Sequence, residues 1–257
     1  MNQRERREYL INKLLAEQPQ YRELEMPVEA GEQKRLLRSL MNVRRPQPVG
    51  EEIVRVQDEY LQMETRTKGI TEFSDLTPVK EGIYLWKGDI TTLRCDAIVN
   101  AANSGMTGCY YPCHGCIDNA IHTYAGIQLR LECARIMERQ GHEEPVGSAK
   151  ITAAYNLPCN YIIHTVGPIV GQQLTSEDEG LLESCYQSCL ELAETHGINS
   201  IAFCCISTGE FHFPNERAAA IAVKTVRDYR ERENSQIRVI FNVFKERDYD
   251  IYRKLLG

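Results

Sequence analysis

No window of this 257-residue chain approaches the roughly 18 consecutive apolar residues of a membrane-spanning helix. The opening MNQRERREYLINKLL starts basic but soon turns amphipathic, without the apolar core of a signal peptide. Positive charge is not in excess either. Thirty Lys and Arg stand against 36 Asp and Glu, a formal net charge of -6. That balance argues against a bare nucleic-acid backbone as the main partner. Neither a Walker lysine motif nor GxGxxG occurs, so kinase-like and Rossmann readings lose their anchors. Internal repeats and low-complexity segments are also lacking. These absences lead us to expect a cytoplasmic protein with no membrane partner, whose thiols stay reduced and form few disulfides.

Cysteine, by contrast, is plentiful: there are ten. Cys204 and Cys205 sit in the apolar run SIAFCCIST and read as small hydrophobes. Cys185 and Cys189 lie four apart on one face of an expected helix, and Cys95, Cys133 and Cys159 are isolated. Only GCYYPCHGC, residues 108–116, has the density of a ligand set. Zinc takes thiolate and imidazole ligands, and a catalytic zinc keeps three protein ligands with one position open. Cys109, His114 and Cys116 form such a set on one short loop. Cys113 is the rival ligand; if it also bound, a closed and purely structural Cys3His site would result. A loop of reduced, metal-free thiols is the plainer alternative.

Residues 1–75 carry apolar residues at helical spacing (Tyr9, Leu10, Leu14, Leu15, then Leu36, Leu37, Leu40, Met41), interrupted by Pro19, Pro27, Pro46 and Pro48. They read as an N-terminal helical extension without a chemical motif. From residue 76 to 257 the pattern alternates strand and helix. Strands are expected in IYLWKGDIT, DAIVNAAN, KITAAY, NYIIHTVGP, SIAFCCIST and IRVIFNVF. Helices are expected over about 119–140, with Asp118 as N-cap, over about 177–195, and in FPNERAAAIAVKTVRDYRERE, with a short one at the end. Such alternation predicts an α/β sandwich around a mixed sheet. His122 and His164 fall inside these elements and read as satisfied core histidines.

In open α/β sheets ligands gather at the carboxyl ends of the strands. The segments 88–90, 101–103, 164–167 and 207–211 lie at such ends. The last is a glycine-containing turn before a helix, whose backbone N–H groups suit a phosphate without any lysine.

Taken in order and spacing, WKGDIT, DAIVNAANS, CIDNAIH, IIHTVGP and ISTGEFHFP resemble the macrodomain, a three-layer α/β/α module that binds ADP-ribose. The resemblance covers about residues 80 to 257. It implies that Asp89 contacts the adenine amino group with the Ile90 amide nearby, and that Asn103 binds the distal ribose. Ser207, Thr208, Gly209, Glu210 and Phe211 would wrap the diphosphate, with Phe211 packing on ribose, while Ile117 and Asp118 complete the ribose end. Asn103 and Asp118 become the candidate catalytic residues, Asp118 orienting water or a ribose hydroxyl. A Cys/His cluster replaces the family's usual glycine-rich loop, which resembles the zinc-dependent macrodomain subclass. That implies bound Zn2+ and removal of mono-ADP-ribosyl groups, Asp- or Glu-linked, from a protein. It also implies a lipoyl-carrier (glycine cleavage H-like) protein, modified by a sirtuin-type transferase, as partner. The rival reading is a module that binds ADP-ribose without cleaving it.

Overall fold

The computed structural model describes residues 1–21 and 23–257. Three helices open the chain: α1 (Gln3–Glu17), α2 (Ala30–Val43) and α3 (Glu51–Lys68). Asn2 and Glu5 form a capping box that satisfies donors at the start of α1. The four prolines fall between these helices, where a missing N–H breaks no ladder. Leu10, Ile11, Leu14, Leu37, Leu40, Val56, Tyr60 and Leu61 bury one another in a core of their own. Each such aliphatic side chain contributes roughly 1.5–3 kcal/mol when fully buried. Ile127, from the far side of the chain, completes this core, so the helices are docked rather than appended.

The remainder runs β1 (Thr71–Glu72), β2 (Pro78–Lys80), β3 (Ile83–Lys87), β4 (Leu93–Arg94), β5 (Ala97–Ala102), α4 (Ile117–Ala125), α5 (Ile127–Gln140), β6 (Ala149–Ala153), β7 (Tyr161–Val166), α6 (Ser176–Thr195), β8 (Ser200–Phe203), α7 (Asn215–Arg232), β9 (Arg238–Val243) and α8 (Glu246–Leu256). Seven strands form one sheet in the order β2-β3-β9-β8-β5-β7-β6. The five inner strands are parallel, and β2 and β6 are antiparallel edges. Four of the inner strands, β5, β7, β8 and β9, are buried on both faces, which is why AIVNAA and SIAF read as continuous apolar runs. Helices cover the sheet to make the expected α/β/α sandwich: α6, α7 and α8 pack in sequence from β6 and β7 across to β3 and β9, and α4 lies on β5.

Two expectations are corrected. The single helix over 119–140 is two helices, because Gly126 has φ +103 and interrupts the ladder. A Cβ at that position would meet Gln57 Nε2 of α3 at 2.6 Å, so glycine is what lets α3 approach. The N-cap of α4 is Cys116, whose Sγ accepts from the Asn119 amide, and not Asp118. Asp118 lies in the first turn and points inward, where a carboxylate still meets the positive end of the helix dipole. The short strands β1, β2 and β4 were too brief to leave a period in the sequence.

Candidate functional site

Because the inner strands are parallel, their carboxyl ends share one edge of the sheet, and the functional side chains project from it. Past β3, Asp89 caps a short helical turn: its Oδ1 accepts from the Thr91 amide (3.0 Å) and hydroxyl (2.6 Å). Its Oδ2 accepts from Lys68 Nζ of α3 at 3.2 Å. Partial burial works to raise this carboxyl, but the Thr91 and Lys68 contacts outweigh it and hold the group below its ordinary value. Lys68 also stands 3.4 Å from the centroid of the Tyr124 ring. Ile90 is a core side chain, so only its backbone is available to a ligand.

Past β5, Asn103 Oδ1 accepts from the Gly105 amide at 3.0 Å. Its Nδ2 reaches Asp118 Oδ2 and the Gly108 carbonyl, both at 3.3 Å. Asp118 is buried, and its Oδ1 accepts from Asn100 Nδ2 at 2.9 Å. Burial pushes its carboxyl up to about 6, against the hydrogen bond from Asn100 and the charge of Arg130. Asn100 Nδ2 also lies 3.1 Å from His164 Nδ1. An amide nitrogen can only donate, so Nδ1 accepts, and Nε2 carries the proton that faces Thr152 Oγ1 at 2.9 Å. His164 is thus a satisfied core histidine, as expected. His122 is not: it is buried, yet neither ring nitrogen has a hydrogen-bond partner among the described residues. Asp118 Oδ1 stands 3.5 Å from its Nε2. The sequence offered no sign of this, since a buried histidine looks the same with or without partners.

The loop 108–116 joins β5 to α4. Cys109 Sγ lies 3.7 Å from His114 Nδ1, and the donor atoms of Cys109, His114 and Cys116 all lie within 4.8 Å of one another. Sulfur and nitrogen ligands at tetrahedral zinc distances sit about 3.6 Å apart, so the Cys109–His114 pair already has that spacing, with the Cys116 donor close by. Burial pushes the Cys116 thiol up to about 12, against the Asn119 amide, with Cys109 and Asp118 adding to the rise. Cys113 is turned away: its Sγ is 3.2 Å from Ser39 Oγ and 3.4 Å from the Arg35 carbonyl, both on α2. The loop therefore brings Cys109, His114 and Cys116 together and leaves Cys113 outside the group. Gly108, at φ +82, packs against the His122 ring, and a Cβ there would approach it to 2.6 Å.

Past β8, Ser207 has φ +62, and its hydroxyl is buried with no partner among the described residues. The turn is closed by the Phe213 amide donating to the Ser207 carbonyl (3.0 Å) and His212 to Gly209 (3.1 Å). The N–H groups of Gly209, Glu210 and Phe211 make no internal hydrogen bond among the described residues, which leaves three donors together at the edge. Glu210 Oε1 lies 3.6 Å from His114 Nε2, so this turn meets the cysteine loop. Ile117, at the start of α4, is half-buried against the main core. The sequence-predicted residues thus fall in three groups on one edge: Asp89 and Ile90; Asn103, the cysteine loop, Ile117 and Asp118; and the turn 207–211.

A model of the Macro domain matches residues 99–222. A protein-ADP-ribose hydrolase from Treponema medium is 58% identical over 261 residues, covering 100% of both chains. The chain belongs to the macrodomain family. Among solved macrodomains, a mutant of the Oceanobacillus iheyensis macrodomain with ADPR is 38% identical, with a TM-score of 0.63 over 70% of this chain and 95% of that one. The Trypanosoma brucei macrodomain in complex with ADP-ribose is 29% identical, with a TM-score of 0.66 over 86% of this chain and 95% of that one.

Against this macrodomain frame, sequence reasoning missed several residues. Lys68, Arg38 and Arg130 reach the site from helices read as solvated or merely structural. Phe244, placed in a strand by its apolar neighbours, lies just past β9 beside Gly88 and exposes 76% of its surface. An exposed aromatic at a strand's carboxyl end is the one signal that would have found it.

Proposed function

We propose that this macrodomain is a protein-ADP-ribose hydrolase that binds ADP-ribose along the carboxyl edge and removes mono-ADP-ribosyl groups from protein, with zinc held by Cys109, His114 and Cys116. The observation that carries this reading is the meeting of that donor set with Asn103 and Asp118 at one end of the edge. The full-length likeness to a protein-ADP-ribose hydrolase supports the reaction class.

The ionised Asp89 accepts from the adenine amino group, and the exposed Phe244 ring offers an apolar face beside it. The free N–H groups of 209–211 bind the diphosphate, with Ser207 and Thr208 shaping the turn and Phe211 against the ribose. Asn103 and Asp118 hold the distal ribose, and Asp118, itself braced by Asn100, orients a hydroxyl or water at the anomeric carbon. When bound, zinc supplies Lewis-acid chemistry beside that carbon. Water adds there as the bond to the acceptor oxygen breaks, giving ADP-ribose and the unmodified side chain. An Asp or Glu acceptor suits this site, because a carboxylate leaves without needing a proton. The acceptor protein we propose is a lipoyl-carrier, glycine cleavage H-like protein modified by a sirtuin-type transferase.

The test is metal analysis of the purified protein together with incubation on an Asp/Glu-linked mono-ADP-ribosylated substrate. Free ADP-ribose should accumulate. Binding without release would make the chain a reader of the modification, and release from protein without zinc would remove the metal from the reaction.

A further inference from the structure

The Cys/His loop does not hold its shape alone. Arg38 of α2 donates from its guanidinium to the His114 carbonyl (3.0 Å) and to Asn119 Oδ1 (3.2 and 2.7 Å). Asn119 passes this grip on: its amide N–H caps Cys116 Sγ, and its Nδ2 donates to the Tyr111 carbonyl at 3.0 Å. Asn42, at the end of α2, accepts the Cys113 amide at 2.9 Å and donates to Thr123 of α4 at 2.9 Å. Cys113 itself is drawn into φ +53, a left-handed conformation that few non-glycine residues adopt, with its sulfur against Ser39 and Arg35.

Arg130 of α5 grips the other end. Its buried guanidinium donates to the carbonyls of Met41, Asn42 and Arg44 at the close of α2, and to the Cys109 carbonyl at 3.2 Å. The same group lies 4.2 Å from the Tyr110 ring centroid. The backbone of Cys109 and His114, and the cap of Cys116, are therefore all tied to α2 directly or through one residue. None of the three donor side chains is used as a tether to α2. Cys116 Sγ accepts one backbone amide, from Asn119, and otherwise the grip falls on the chain around the donors rather than on the thiols and the imidazole.

We propose that α2 is a clamp that pre-shapes the Cys109, His114 and Cys116 set for its metal, with Arg38 as the positioning residue and Cys113 as a non-ligating anchor. This rests on the zinc reading above and deepens it. A loose eight-residue loop would have to be ordered when the ion binds, and that loss of freedom would weaken affinity; a clamped loop is ordered beforehand. Partners that fix ligand orientation typically change metal affinity 10–100-fold when removed. The helical extension is on this account part of the metal site.

The measurement is the zinc dissociation constant of the full chain, by competition with a chromophoric chelator, for wild type, Arg38→Ala and Ser39→Ala/Cys113→Ala. The thermal midpoint of each chelated protein and its affinity for free ADP-ribose are recorded alongside. Arg38→Ala should weaken zinc at least about tenfold. ADP-ribose affinity should stay within about twofold, since the adenine and diphosphate contacts lie elsewhere. The double variant removes only the anchor and should weaken zinc severalfold without a change in charge. If wild type binds no zinc, the zinc reading itself fails. If wild type binds and Arg38→Ala binds equally tightly, the clamp is wrong while the zinc reading stands. Should Arg38→Ala lose its folded transition, the double variant decides: unchanged zinc affinity there overturns the proposal.

Discussion

At the scale of single residues, the site separates groups that bind from groups that hold the binders. Cys109→Ala and Cys116→Ala should each abolish stoichiometric zinc and turnover, whereas Cys113→Ala should retain one zinc per chain, as metal analysis and ADP-ribose release will report. Its sulfur points to Ser39 and Arg35, so loss of the thiol loosens the loop but removes no donor. Loss of metal from Cys113→Ala but not from Cys109→Ala would reverse the assignment. Asp89→Ala should weaken ADP-ribose binding by about 1.5–3 kcal/mol, the worth of a hydrogen bond to a charged group. The fold should persist, because Asp89 is half-exposed at a strand end and its removal leaves only Lys68 and Thr91 to re-pair. An unchanged calorimetric affinity with intact circular dichroism would place the adenine elsewhere. Of these residues, Asp89, Asn103 and the cysteine loop were legible in sequence because their chemistry is carried by residue type at short spacing. Arg38 and Arg130 were not, since an arginine on a helix looks the same whether it meets water or, as Arg38 does, a carbonyl 76 residues away.

At the scale of elements, the long strands and helices were legible because burial on both faces leaves unbroken apolar runs, as in AIVNAA and SIAF. What the sequence concealed was a break. The apolar positions of Ile121, Ala125, Leu129 and Cys133 keep helical spacing straight through Gly126, yet the chain turns there to admit Gln57. Gln57 Oε1 accepts the Ile127 amide at 3.0 Å, giving the first turn of α5 a partner that its own sequence does not supply. Gly126→Ala should therefore lower stability by more than about 1 kcal/mol, from the left-handed backbone alone, and further through collision with α3. Thermal melts should show it, and an unchanged midpoint would mean that α3 can retreat freely. The cap of α4 was misread for a similar reason: Asp is the commoner cap, but here its side chain is claimed by Asn100, and the sulfur two residues earlier takes its place.

At the scale of the whole molecule, two expectations follow. Burial holds His164 down at about 3 and His122 well below its ordinary value of 6.5. The groups around His164 are His122, Cys133 and, through Asn100, Asp118. On unfolding, both imidazoles take up protons below pH 6.5, so their stabilising contribution is complete above that pH and falls as pH drops toward 3. The loss runs at about 1.4 kcal/mol per pH unit for each imidazole. The raised carboxyl of Asp118 acts in the opposite sense between about 6 and 3.8, offsetting part of it. Urea titrations of the apo protein at pH 7 and pH 5 should show lower stability at pH 5, and equal stability would mean that the imidazoles are solvated. The second concerns the division of labour along the edge. Chelated protein should bind free ADP-ribose within about tenfold of the zinc-loaded affinity, about 1.4 kcal/mol. Hydrolysis should fall at least about a hundredfold and return on adding zinc. Intact turnover after chelation would make the metal incidental, and joint collapse of binding and turnover would make it a shaper of the cleft.

The order of strands also makes the sheet a ruler. Between β3, which leads to Asp89, and β5, which leads to Asn103, lie β9 and β8. That is three inter-strand steps, or about 14 Å, and the turn 207–211, the diphosphate site proposed above, follows β8 inside that span. If the three marks bind as proposed, a ligand would be graded by length before any of its atoms is recognised chemically. On the proposed reading, a mononucleotide would reach one mark, a nucleoside diphosphate two, and only a molecule with a second sugar beyond the diphosphate all three. Shortening or lengthening the bridge between the two sugars by one phosphate would put one of them out of register with its strand, however well each half fits alone.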